Sequence, residues 1–161
     1  MGEFVIDQMT KLATIHWIKF GERIPIIPGF FDLVHFRNTG AAFGMFSESS
    51  SGFRDPFFYA IAVVITIFLV LYLRTMLDRE RAVPLAISLV FAGIAGNVLD
   101  RIRLGSVVDF LSFHIGSRAL DFSLFGKSYH IPLEWPAFNV ADSAITVAMT
   151  MLVISAFKRK D

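Results

Sequence analysis

Phe57–Leu73 reads FFYAIAVVITIFLVLYL, a run without a single charged side chain. Crossing the hydrocarbon core of a bilayer takes roughly 20 helical residues. Two further runs of this kind follow. Ala82–Leu99 (AVPLAISLVFAGIAGNVL) is charge-free with Asn97 as its amide, and Phe138–Phe157 (FNVADSAITVAMTMLVISAF) is charge-free apart from Asp142. A greasy core helix in a soluble domain accounts for one such run but not for all of them. The composition agrees: 161 residues, 55% hydrophobic, 18% charged and a mean hydropathy of +0.61, where soluble domains carry about 25% charged residues. The chain reads as a small polytopic membrane protein.

Charge placement orients it. Arg74, Arg79 and Arg81 lie in the link between the first two runs, and Lys158, Arg159 and Lys160 close the chain. Cationic residues near span ends stay on the cytoplasmic side. The two clusters are separated by two crossings and so share a side, which puts the C-terminus in the cytoplasm and residues 20–55 and 101–136 outside. A net charge of +1 identifies no partner, and no nucleic-acid partner is expected. The absence of cysteine removes a disulfide framework and a thiol nucleophile. No cleavable signal peptide is expected, since a basic region followed by an apolar run is missing from the start.

Phe4–Phe20 (FVIDQMTKLATIHWIKF) reads as a helix, but a short one that carries Asp7 and Lys11. Either the chain begins late or this helix enters the membrane only part-way. Residues 24–46 change character: prolines, a glycine and the alternation Phe31, Leu33, His35 predict short strands and turns. Such backbone cannot face lipid, so a small sheet at the outer surface is expected, followed by a polar loop from Ser47 to Gly52. Residues 110–136 hold Gly116, Gly126, Pro132 and Pro136 among scattered aromatics, and predict a broken outer segment with interfacial rings.

An ionisable residue within a span costs about 2.5–3.5 kcal/mol on insertion scales and is a functional candidate by default. Asp142 is the clearest case, with Asn139 three residues earlier on the same helical face. Asn97, Asp100, Arg101 and Arg103 lie at the outer end of the preceding span, and Asp109 sits between Val107-Val108 and Phe110-Leu111. Topology brings Asp109 and Asp142 to one boundary. Two carboxylates in a partly dry site cannot both ionise easily, and one protonated with one ionised can activate water and protonate a leaving amine. The plainer readings are that Asp142 pairs with Arg101 or caps a helix, and that Asp100 pairs with Arg101. The histidines lack metal-ligand spacing. Ser143 lacks a glycine-flanked elbow. Gly93-x-x-Gly96 reads as a helix-packing contact rather than a phosphate loop.

The same residues fall in five motifs in order: Asp7–Lys11 (DQMTK), Asn38–Phe43 (NTGAAF), Gly96–Arg101 (GNVLDR), Val107–Phe110 (VVDF) and Phe138–Ser143 (FNVADS). Together they resemble bacterial lipoprotein signal peptidase (signal peptidase II). The resemblance implies an all-α membrane fold with a small β element, made of four transmembrane helices, an outward-facing β-cradle and an outer loop. As a single peptidase domain over 1–161, this gives helix 1 at about 4–20, the cradle at about 22–46 and helix 2 at about 56–75. Helix 3 follows at about 82–101, the outer loop at about 110–135 and helix 4 at about 136–157.

The implied activity is cleavage of prolipoproteins before a diacylglyceryl-modified cysteine, at the outer face of the bacterial inner membrane. The implied catalytic pair is Asp109 and Asp142, with substrate-binding or supporting roles for Asn38, Asn97, Arg101, Asn139 and Asp7. Prolipoproteins and membrane lipid are the implied partners. No metal, organic cofactor or oligomer is implied. Two features depart from the family pattern: the short apolar stretch before Asp7, and a separation of 142 − 109 = 33 residues between the aspartates, which predicts an enlarged outer loop. A proton-relaying transporter is the rival outside the enzymes, and inverted repeats, which would favour it, are not evident.

Overall fold

Among the residues described in this computed structural model (2–40, 50–75, 82–124 and 127–158), Gly52–Arg74, Ala82–Leu104 and Val140–Phe157 are long and apolar enough to cross a membrane. They belong to α2 (Ser51–Thr75), α3 (Ala82–Leu104) and α4 (Val140–Lys158). The remaining elements are α1 (Gly2–Trp17), β1 (Arg23–Ile27), β2 (Phe31–Asn38), β3 (Val107–Leu124) and β4 (Lys127–Glu134).

Helix α3 is central. Its Val83, Ala86, Ile87 and Val90 are buried against Leu69 of α2 and Ala148 of α4. Val63, Val64 and Phe68 of α2, like Met149, Val153 and Phe157 of α4, are exposed on the outer surface, as lipid contact demands. Burying apolar groups gains little when lipid is the alternative, so helix association depends on close approach between small residues. A Cβ added at Gly93 would lie 2.6 Å from Ile145 Cγ1 and 2.8 Å from the Ala141 carbonyl oxygen. At Gly96 it would collide with the Asp7 carboxylate. The pair is a packing contact, as its spacing suggested.

Helix α1 inverts the soluble amphipathic pattern. Asp7, Lys11 and Thr14 are buried, whereas Val5, Ile6, Met9 and Leu12 are exposed. At 16 residues it is shorter than the roughly 20 that a crossing takes. It ends at Trp17 rather than near residue 20, and the chain turns through Gly21, whose φ of 79° suits glycine.

The strands form one antiparallel sheet in the order β1-β2-β3-β4. A small antiparallel sheet is present where the cradle was expected, its first strands being β1 and β2, which ends at Asn38. The expected outer loop at about 110–135 is not a loop. It is the β3–β4 hairpin, with Leu120 opposite Ile131 and Phe122 opposite Tyr129. Residues that read as breakers are accommodated by position. Gly116, at φ 56°, lies in the register shift between His114 and Ala119, and Pro132 sits on the edge strand. The long spacing between the two aspartates is taken up here.

A polar cluster ties the strands together. Arg23 donates to Asp32 at 2.7 Å, His114 Nε2 lies 3.0 Å from the same Asp32 oxygen, and Ser112 donates to Glu134 at 3.0 Å. Arg23 also pairs with Glu134. Burial acts to raise the Asp32 pKa, but the hydrogen bond from Arg23 and the neighbouring cations hold it below its ordinary value.

After β4, Phe138 pairs with Leu111, donating to its carbonyl at 3.0 Å and accepting from its N–H at 2.9 Å. This extended stretch delays α4, which begins at Val140 rather than near 136. Arg79, Arg81, Arg159 and Lys160, on which the sidedness argument rests, lie outside the described residues. So do residues 41–49, including the end of the NTGAAF motif, and Phe125 and Gly126.

Candidate active site

Asp109 is placed by strand pairing. Helix α3 ends, the chain turns through Gly105 at φ 67°, and β3 sets Asp109 opposite Phe36 and Val107 opposite Asn38. Asp109 is 3% exposed, and its carboxyl group accepts one hydrogen bond at each oxygen, from Asn38 Nδ2 at 3.0 Å and from Asn139 Nδ2 at 2.8 Å. Burial, then the charge of Asp142, push its pKa from 3.8 up to about 7 against the pull of those two amides.

Asp142 is placed by helix capping. Asn139 is the N-cap of α4: its side-chain oxygen accepts from the Asp142 N–H at 3.0 Å, and the Asp142 carboxylate accepts from the Asn139 N–H at 3.2 Å. This is a reciprocal capping box. The other Asp142 oxygen accepts from Asn97 Nδ2 at 2.8 Å. The plain reading of Asp142 as a cap is therefore correct, and it coexists with a place at the site.

Asp109 and Asp142 line one cavity of about 230 Å³, together with Asn38, Asn97 and Arg101 and an apolar wall that includes Phe58 and Ile94. A second cavity of about 570 Å³ shares Asn38 and Asp142 and is walled by Trp135, Phe138 and Val147. Two carboxyl groups that line one small cavity, each held by amide donors, cannot both ionise easily.

The other expected site residues divide into two groups. Asn38, Asn97 and Arg101 reach the cavity, whereas Asp7 and Asn139, both 0% exposed, lie behind it. Asp7 accepts from the Ala141 N–H at 2.9 Å, so it anchors the start of α4. Arg101 forms neither of the ion pairs considered for it. Its guanidinium donates to the carbonyls of Thr39 at 3.1 Å and Gly40 at 2.6 Å, and lies 3.9 Å over the Phe58 ring. Asp100 pairs instead with Lys11 at 3.2 Å and accepts from the Val108 N–H at 3.1 Å.

The residue that sequence reasoning left without a role is Lys11, buried beside Asp7, Asn97 and Asp100. Its signal was a lysine four residues after an aspartate on one apolar helix. His35 bonds the Ile18 carbonyl and His114 bonds Asp32, both away from the cavity, and Ser143 donates to the Asn139 carbonyl.

Residues 2–158 match the family described as signal peptidase (SPase) II. The lipoprotein signal peptidase of Geobacter metallireducens is 37% identical over 154 residues, covering 96% of this chain and 85% of that one. That of Syntrophotalea carbinolica is 40% identical over 153 residues, covering 95% and 84%. A bacterial membrane enzyme solved in meso at 2.3 Å aligns with a TM-score of 0.76 and 32% identity, over 99% of this chain and 85% of the other.

Proposed function

The chain belongs to the signal peptidase II family, and we propose that it removes signal peptides from bacterial prolipoproteins as an aspartic endopeptidase, cutting before a diacylglyceryl-modified cysteine. One observation carries the mechanism: Asp109 and Asp142, reached from different elements, line the same small cavity, and amides donate to both. The family resemblance supports the lipidated substrate.

In this reading Asp109 holds the shared proton, in keeping with a pKa near 7, and Asp142 carries the charge. Asp142 takes a proton from a water lying between the two carboxyl groups as that water attacks the scissile carbonyl carbon. Asp109 donates to the developing oxyanion and its proton goes on to the leaving amine as the C–N bond breaks. Proton transfer of this kind contributes about 10²–10⁴-fold. Asn38, Asn97 and Arg101 line the approach and orient the peptide, and the apolar walls of the two cavities take the signal peptide and the acyl chains. α1 completes the helical bundle. The sheet and both cavities face outward and the C-terminus is cytoplasmic.

The test uses detergent-purified protein, a lipopeptide bearing a diacylglyceryl cysteine, and its unlipidated twin. Cleavage of the first alone, immediately before the cysteine, is the expected result. Equal cleavage of both would assign the protein to proteases of unmodified segments. A folded protein that cleaves neither would leave the transporter reading in its place.

A further inference from the structure

Lys11 takes no part in the reaction as described, yet it is 1% exposed, and its ammonium group meets three acceptors among the described residues. Nζ lies 2.9 Å from Asp7 Oδ2, 3.2 Å from Asp100 Oδ2 and 2.9 Å from Asn97 Oδ1. Among the described residues it thus joins α1 to α3. Through Asp7 it reaches the first turn of α4, and through Asp100 the start of β3.

The contact with Asn97 has a directional consequence. An ammonium group can only donate, so the amide of Asn97 must turn its oxygen to Lys11. Its NH₂ group then points the other way, to Asp142 Oδ1 at 2.8 Å. Asn139 Nδ2 also approaches the Asn97 oxygen, at 3.3 Å, but that nitrogen has nearer business with Asp109 at 2.8 Å and is shared with the Val108 carbonyl at 3.3 Å. Lys11 is the stronger constraint. Without it, rotation of the amide would set a carbonyl oxygen against the Asp142 carboxylate. Among the described residues, the charged groups near Asp142 include Asp109 on β3, Asp7 and Lys11 on α1, and Arg101 across the cavity on α3.

We propose that Lys11 is a positioning residue for the reaction, fixing the Asn97 amide so that its NH₂ group holds Asp142 in line for the water. The inference rests on the proposed peptidase reading and adds to it a residue that touches no substrate. Lys11 lines neither cavity, so its loss acts through Asn97: kcat falls, and any change in KM for the lipopeptide is no larger than that of Asn97→Ala.

The experiment is a mutant cycle in an Asp100→Asn background. There Lys11→Met removes one positive charge where one negative charge has already gone; Asp7 still loses its cation, so each variant is verified as folded by its melting transition. Lys11→Met is expected to lower kcat about 10²-fold, the scale of a small misplacement of a reacting group. With Asn97→Ala also present, it is expected to lower kcat no further. A merely structural lysine would cost the same factor with or without Asn97. Equal losses in both arms, no loss in either, or a change in KM larger than that of Asn97→Ala would overturn the proposal. Wild-type enzyme on the same lipopeptide runs alongside, and its failure to cleave would count against the peptidase reading rather than against Lys11.

Discussion

Asn139 and Asp142 cap each other at the start of α4, the Asn139 side chain accepting from the Asp142 N–H at 3.0 Å and the Asp142 carboxylate accepting from the Asn139 N–H at 3.2 Å. The Asn139 amide also donates to Asp109 at 2.8 Å. One side chain therefore starts the helix that carries the first carboxyl group and holds the second.

These two duties separate by substitution. Asn139→Ser keeps an N-cap oxygen but loses the donor to Asp109, whereas Asn139→Ala loses both. The serine variant is expected to melt close to wild type and lose activity. The alanine variant is expected to be inactive and also less stable, by about 1 kcal/mol for the cap. Thermal unfolding in detergent beside lipopeptide cleavage checks both.

Asp109 carries a stability cost that depends on pH. Its pKa is raised from 3.8 to about 7 in the folded protein, so the folded state binds this proton more tightly than the unfolded state. Stability from this group is fully present below about pH 4 and is lost as pH rises towards 7. Asp109→Asn removes that dependence. Its melting temperature is expected to exceed that of wild type at pH 8, with the gap closing as pH falls towards 4. A gap that is constant with pH would contradict the assignment. In the wild type, cleavage is expected to fall off as pH rises above about 7, where Asp109 loses its proton.

Close packing of α3 predicts a further pair of results. Gly93→Ala places a methyl group 2.6 Å from Ile145 Cγ1 and 2.8 Å from the Ala141 carbonyl oxygen, so α3 and α4 must separate. Overpacking of this type costs about 1–3 kcal/mol. Gly96→Ala meets the Asp7 carboxylate instead. It is expected to disturb the Asp7 bond to Ala141 and depress activity more than Gly93→Ala does for a comparable loss of stability. Paired melting and cleavage assays separate the two.

Much of this was legible in the residues. Three long apolar runs announced three spans, and Asp109 and Asp142 stood out because carboxylates in apolar runs are costly. The β3–β4 hairpin was not legible, because Gly116 and Pro132 read as breakers until the register shift and the edge position accommodated them. The late start of α4 depended on Phe138 pairing with Leu111, a contact between distant residues that local pattern does not encode. Lys11 looked like a blemish in a short helix. Its meaning lay in Asn97 and Asp100, on another helix. The Asp100–Arg101 pair was suggested by adjacency, but neighbours along a helix do not face each other, and Arg101 turns to the carbonyls after β2.

The central claim is that Asp109 and Asp142 act as one unit, and the non-additivity of their substitutions tests it most directly. Turnover of the lipidated peptide would be measured for Asp109→Asn, Asp142→Asn and the double variant, each verified as folded by its melting transition. Groups that share one proton are grossly non-additive, so each single variant is expected to fall to the same floor as the double. A single variant that keeps near-wild-type turnover, or a double variant whose loss is the product of the two single losses, would contradict the account.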